Sequence, residues 1–214
     1  GRFFQRAGDI LAMEADYRHA ADAKLREAIE ALRERFRRGR ETVADVDRAA
    51  AILREVADRT LGIRPYPVQL AGALALEAGC IVEMATGEGK TVTGTIPAAI
   101  AGWRGRGCHV VTANDYLAVR DAEEMGPVYR FCGLTVVGID PEMPPDARRD
   151  AYQADITYTT NKEAAADFLR DRLALGRLTG ASEALLAKIA EGSGSGTDRL
   201  VQRGLACAIV DEAD

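Results

Sequence analysis

From Gly79 onward the sequence alternates short apolar runs with longer stretches of helical periodicity, and no other feature restricts the fold so tightly. The runs are CIVEM from residue 80, HVVT from 109, LTVVGI from 134, DITYTT from 155 and ACAIVD from 206. Helical patterns lie between them over 92–101, 116–125 and 163–175. A short run that is apolar throughout suits a strand covered on both faces. Such strands, spaced by helices, make βα units and a mainly parallel sheet. Crossovers in such sheets are right-handed with few exceptions. The pattern therefore predicts a doubly wound α/β domain, independent of any motif. An apolar fraction of 47% against 29% charged, in 214 residues, supplies a core for it.

Ahead of this domain the texture is purely helical. Leu25, Ile29, Leu32 and Phe36 recur at helical spacing, Arg26, Arg33, Glu34 and Arg37 lie off that stripe, and Gly39 stops the helix. A second helix opens at Thr42, an N-cap with Asp45 three residues on, and carries Val46, Ala49, Leu53 and Val56 on one face. The chain thus divides into a helical lead-in, residues 1–61, and the α/β domain, residues 62–214. Asp140 to Asp146 reads as a proline-rich loop. Ser182 to Ala190 reads as a helix inserted before the last strand, followed by the low-complexity loop EGSGSGT from residue 191.

The junction EMATGEGKT, residues 83–91, is where the pattern acquires chemistry. CIVEM predicts a strand and Thr91 to Ala101 a helix, with Gly87 and Gly89 between them. Glycines there let backbone amides close on an anion, and the helix N-terminus adds its dipole. Lys90 would then meet the outer phosphates of a nucleotide, and the Thr91 hydroxyl a Mg²⁺ ion. The common spacing G-x-x-x-x-G-K-[ST] wants glycine at 84, where Met84 stands; the variant found here is the one helicase-like motor ATPases use. A flexible turn ending in lysine is the bland alternative. A second acidic site is required to hold the metal and activate water. Asp211 and Glu212 supply it at the end of the last apolar run: Asp211 for the ion, Glu212 as general base. Gln69, in RPYPVQ, has the donor and acceptor that adenine's edge needs, although a residue at a helix start is the plainer reading.

Other classes are excluded or disfavoured. A net charge of −5 argues against a protein that coats nucleic acid, though a local basic face remains compatible with it. Cys80, Cys108, Cys132 and Cys207 stand singly without a CxxC pair, which argues against zinc and for a reduced, cytosolic chain. His19 and His109 have no metal-binding neighbours by spacing and read as structural. No apolar run approaches the ~18 residues of a membrane span. The chain stops directly after an acidic cluster, so a piece of a longer protein is expected.

The segments GIRPYPVQLAG, EMATGEGKT, GCHVVTANDYLAVRDAE, GLTVVGI, ADITYTTNKE, FLRD and AIVDEAD together resemble the first nucleotide-binding domain of the SecA preprotein translocase family, over about residues 10–214. The string VTANDYLAVRDAE is the most specific element; DEAD-box helicases, the alternative reading, share the glycine loop and the DEAD ending but not that string. The resemblance implies a RecA-like P-loop NTPase domain with a helical lead-in, cut at its Walker B strand. It implies ATP and Mg²⁺ as ligands, with Gln69 reading adenine and Thr86, Gly87, Glu88, Gly89, Lys90 and Thr91 holding phosphate. Thr91 and Asp211 would hold the metal, Glu212, Lys90 and Asp211 would serve hydrolysis, and Arg120 would lie near the nucleotide, with Asp115 bracing its loop. Implied partners are the SecYEG channel and unfolded preproteins, with a homodimer as one assembly, at the cytoplasmic face of the inner membrane and without a transmembrane segment. Nucleic acid is not an expected partner. The chain departs from the family's usual pattern at Pro67, Thr159, Lys162, Ala165 and Ala166, in the length of 174–199, and in ending DEAD for DEVD, changes compatible with a specialised or accessory motor. Half a nucleotide sandwich, lacking a second motor domain with its arginine fingers, is expected to bind ATP weakly and turn it over slowly.

Overall fold

The computed structural model describes residues 1–175 and 200–212. Its helices are α1 (Arg2–Ala12), α2 (Glu14–Tyr17), α3 (Asp22–Arg37), α4 (Val43–Leu61), α5 (Pro67–Glu77), α6 (Lys90–Trp103), α7 (Asp115–Phe131), α8 (Pro145–Gln153) and α9 (Asn161–Leu175). Its strands are β1 (Cys108–Thr112), β2 (Val136–Gly138), β3 (Ile156–Thr160) and β4 (Ala208–Val210). Among the described residues the sheet runs β2-β3-β1-β4 and every pair is parallel. Cys108 stands opposite Ile156, His109 opposite Ala208, and Val136 opposite Ile156. This is the α/β fold with a parallel sheet and a helical lead-in that the alternating runs predict.

Local rules account for the helices. Thr42 and Asp45 form the expected capping box: the Thr42 hydroxyl accepts from the Asp45 amide, and the Asp45 carboxylate accepts from the Thr42 amide. Gly62 ends α4 at φ +68°, a left-handed turn that costs glycine little. Asn114 caps α7 by accepting from the Leu117 amide. Gly138 answers a steric demand, since a Cβ there would lie 2.7 Å from the Val119 Cα; only glycine lets α7 pass this close to β2.

The lead-in and the sheet domain share one apolar core. Helix α1 packs on α5, α3 on α6, and α4 on both α6 and α7. Leu25, Ile29, Leu32 and Phe36 of α3 are all buried, as the stripe predicts, in the same cluster as Trp103, Tyr129, Ile156 and Tyr158. Trp103 sits where the layers meet. Its ring lies 5.9 Å from Phe36, and its indole N–H donates to the Cys132 carbonyl at 3.3 Å. Deeper still, the hydroxyls of Tyr129 on α7 and Tyr158 on β3 lie 3.0 Å apart, so each buried phenol has a partner. His109 is buried on β1 with its ring 5.7 Å from Tyr152.

Two expectations need correction. Residues 80–84 form no strand and, among the described residues, pair with none. Their side chains alternate as a strand's would: Val82 and Met84 are half-buried against Gly72 of α5, while Ile81 is 97% exposed. The apolar run specifies the face that packs; a ladder also needs a neighbour, and on the sheet side this segment faces an open cleft with β4 across it. The second correction is α8, which begins inside the supposed loop. Pro145 occupies its first turn, where a missing N–H costs nothing. The predicted helix over 182–190 and the loop from 191 lie outside the described residues.

Candidate functional site

A cleft of about 830 Å³ opens at the carboxyl end of the sheet. It is lined by Lys90 and Thr91 at the start of α6, by Thr112 of β1, and by Asp211 and Glu212 just past β4. Parallel strands bring these groups together from distant places in sequence, and ligands in open α/β sheets bind outside such strand ends.

The glycine loop leads directly into α6. Gly87 and Gly89 adopt φ +84° and +81°, so the chain turns through left-handed conformations on either side of Glu88. Gly89 caps α6, whose first residue is Lys90. A Cβ at Gly89 would also lie 2.4 Å from the Gln69 Nε2, so a side chain there would have to displace that amide. Among the described residues, no hydrogen-bond acceptor takes the amides of Thr86, Gly87, Gly89, Lys90 or Thr91. The loop is held from within: the Glu88 amide donates to the Ala85 carbonyl at 3.2 Å, and the Glu88 carboxylate accepts from the Ala85 amide at 3.0 Å. Five amides without acceptors at a helix N-terminus, on a loop turned by two glycines of positive φ, match the cradle a phosphate chain needs. Glu88 serves the loop's shape through its carboxylate.

The acidic side is equally specific. The Asp211 amide donates to the Val111 carbonyl at 2.8 Å, which continues the β1–β4 ladder and fixes Asp211 at the strand end. Glu212 then takes φ +59°, a left-handed conformation that costs a non-glycine residue on the order of 1–3 kcal/mol. Such strain persists where the surroundings impose a particular side-chain direction. Thr91, Asp211 and Glu212 line one cleft, and hydroxyl and carboxylate oxygens are the ligand type a hard cation such as Mg²⁺ takes.

Gln69 is engaged inside the chain. Its Oε1 accepts from the Tyr66 amide at 2.7 Å, closing a capping box on α5, and its Nε2 donates to the Glu88 carbonyl at 2.7 Å. The residue that sequence reasoning offered as an adenine reader is here the strut between α5 and the phosphate loop. Arg120 is half-exposed and bound through Nε (2.9 Å) and Nη2 (2.6 Å) to Asp121, whose hydrogen bond pushes the guanidinium pKa up. Asp121, not singled out from sequence, is buried and lines the cleft. Its signal lay within the NDYLAVRDAE string, one residue past Arg120. Asp115 at the start of α7 accepts from the Thr160 hydroxyl at 3.2 Å, tying this loop to the end of β3. Tyr158, which also lines the cleft, has its hydroxyl pKa pushed well up by burial.

A parallel sheet behind helices, with a glycine loop opening α6 and acids ending β4, defines a RecA-like P-loop domain of DEAD type. The sequence pattern of the SecA DEAD-like domain matches residues 2–214, and the chain belongs to that family. It is 47% identical over 205 residues to protein translocase subunit SecA 1 of Thermobifida fusca, covering 96% of this chain and 19% of that protein. It is 45% identical to SecA of Rubrobacter xylanophilus, covering 96% of this chain and 21% of the relative. It is also 45% identical to SecA 2 of Chlorobium chlorochromatii, over 83% and 27%. The chain therefore spans roughly a fifth to a quarter of the length of these relatives. Among the described residues no helix is long and apolar enough to cross a membrane.

Proposed function

We propose that this domain binds and hydrolyses ATP with Mg²⁺, as the nucleotide-handling part of a SecA-type preprotein translocase motor. One observation carries the reading: the α6 N-terminus with Lys90 and Thr91 and the acidic end of β4 with Asp211 and Glu212 open on a single cleft.

The amides of Thr86, Gly87, Gly89, Lys90 and Thr91 hold the phosphate chain, and the α6 dipole favours its negative charge. Lys90 adds a full positive charge beside the outer phosphates. The Thr91 hydroxyl and the Asp211 carboxylate would hold Mg²⁺, which when bound draws charge from the phosphate oxygens. Glu212 orients the attacking water and takes its proton at a carboxylate oxygen. Arg120, anchored by Asp121, lies near the nucleotide. Gln69 reaches adenine only by giving up its bonds to Tyr66 and Glu88, so nucleotide binding and loop opening would be linked through this residue.

The relatives' shared name, protein translocase subunit, supports coupling hydrolysis to the threading of unfolded preproteins through SecYEG. On this reading the motor would associate peripherally with the cytoplasmic face of the membrane. Titration of a fluorescent ATP analogue with and without Mg²⁺ tests the site. Lys90→Ala is expected to weaken binding at least tenfold, about 1.4 kcal/mol. Glu212→Gln in the full-length protein is expected to keep binding and lose turnover. Lys90→Ala binding as the parent does would remove the phosphate assignment. A loss of ATP-over-GTP preference in Gln69→Ala would assign it to adenine, and unchanged preference would leave it a strut.

A further inference from the structure

Cys108 and Cys207 are separated by 99 positions in sequence, yet their Sγ atoms lie 3.8 Å apart. The sheet brings them together. His109 and Ala208 are paired in the β1–β4 ladder, and the two cysteines stand one position before them on the same side of the two strands. Neighbouring strands run ~4.8 Å apart, inside the Cα separation that a disulfide tolerates. Bonding requires the sulfurs to close to ~2.05 Å by side-chain rotation. The remaining cysteines have no such neighbour among the described residues: Cys80 is exposed, and Cys132 is buried.

The two thiols are not equivalent. Cys207 is half-buried, whereas Cys108 is fully buried and donates its S–H toward the Cys207 sulfur. That hydrogen bond brings the Cys207 pKa down to about 7, with Arg104 assisting and burial and Glu77 opposing. The hydrogen bond with the neighbouring sulfur, and then burial, push Cys108 up. Burial also holds Cys132 at about 12. A partly exposed thiolate beside a buried thiol has the division of labour of an attacking and a resolving cysteine.

We propose that Cys108 and Cys207 form a reversible redox-active dithiol that hydroperoxides convert to an intramolecular disulfide at the root of β4. The Cys207 thiolate attacks one oxygen of hydrogen peroxide, breaking the O–O bond; the departing hydroxide takes a proton and leaves as water. The resulting sulfenic acid is attacked by the Cys108 sulfur. The S–S bond forms, the S–O bond breaks, and the Cys108 proton leaves with the hydroxyl as a second water. Two thiols are oxidised and one peroxide is reduced to two waters. The bond staples β4 to β1 four positions before Asp211, so the strand carrying the acidic pair becomes covalently fixed to the sheet.

The test treats the folded chain with hydrogen peroxide, blocks remaining thiols with iodoacetamide, and maps peptides before and after dithiothreitol. Expected are a fall from four free thiols to two, a mass loss of two hydrogens, a Cys108–Cys207 cross-linked peptide, and full reversal on reduction. In Cys108→Ser the sulfenic acid of Cys207 persists and is trapped by dimedone. In Cys207→Ser no intramolecular bond forms. Phenylarsine oxide, which bridges close dithiols, provides a second measurement on unmodified protein and should bind one equivalent. Retention of four thiols after peroxide, oxidation confined to Cys80 between chains, or no arsenical uptake would each overturn the assignment.

Discussion

At the scale of single residues, the two loop glycines separate backbone conformation from space. Gly87 and Gly89 have nearly the same positive φ, but a Cβ at Gly87 meets nothing within 4 Å, whereas at Gly89 it meets the Gln69 amide. Gly87→Ala is therefore expected to cost only the left-handed backbone penalty, ~1–2 kcal/mol. Gly89→Ala should cost more and should also release the Gln69 strut. Urea unfolding of both variants, with fluorescent-nucleotide titration, checks the order; equal costs would show that the strut yields freely. Glycine, lysine and threonine at this spacing were legible from sequence because each answers a local requirement of the turn. The role of Gln69 was only half legible. Its place at a helix start follows from RPYPVQ, but its bond to Glu88 spans 19 positions, and nothing local encodes it.

At the scale of elements, the start of α4 and the edge of the sheet make opposite points. Asp45 is buried, which pushes its pKa up. Hydrogen bonds from the Thr42 amide and hydroxyl and from Arg35 outweigh this and leave it lowered. A carboxylate with a lowered folded pKa contributes stability that is complete above its unfolded value, near 3.8, and lost as pH falls through the folded one. Asp45→Asn should flatten that acid limb in a series of denaturation midpoints below pH 4, and Thr42→Ala should cost ~1 kcal/mol at neutral pH. The capping box was readable in full because it needs only four consecutive residues. The segment 80–84 was not, since strand pairing depends on what lies alongside. Its exposed Ile81 and the outer edge of β4, with Val210 53% exposed, are an apolar edge open to association. Ile81→Lys should leave stability within ~0.5 kcal/mol and lower concentration-dependent light scattering. Unchanged scattering would move the association surface elsewhere.

At the scale of the whole molecule, lead-in and sheet domain share one core through Phe36 and Trp103, so they should unfold together. Fluorescence of the single tryptophan and far-ultraviolet circular dichroism are expected to give coincident denaturation curves. Phe36→Ala should shift both by ~3–5 kcal/mol, the cost of emptying a fully packed aromatic site. Separate transitions would mean that the helical segment is an appendage. The stripe on α3 announced a buried face; its partner, α6, could not be read from the stripe.

The sequence by itself determined the periodicities, the caps, the glycine turn and the functional groups at Lys90, Thr91, Asp211 and Glu212, because these depend on residue type and near neighbours. Tertiary structure alone decided that β4 lies beside β1, bringing the acids to the α6 N-terminus and setting Cys108 against Cys207. It also decided that Gln69 braces the loop and that, among the described residues, 80–84 pair with no strand. The physical reason is that strand order and helix packing are settled by apolar surfaces meeting across long stretches of chain. Such surfaces have no preferred partner until the core forms.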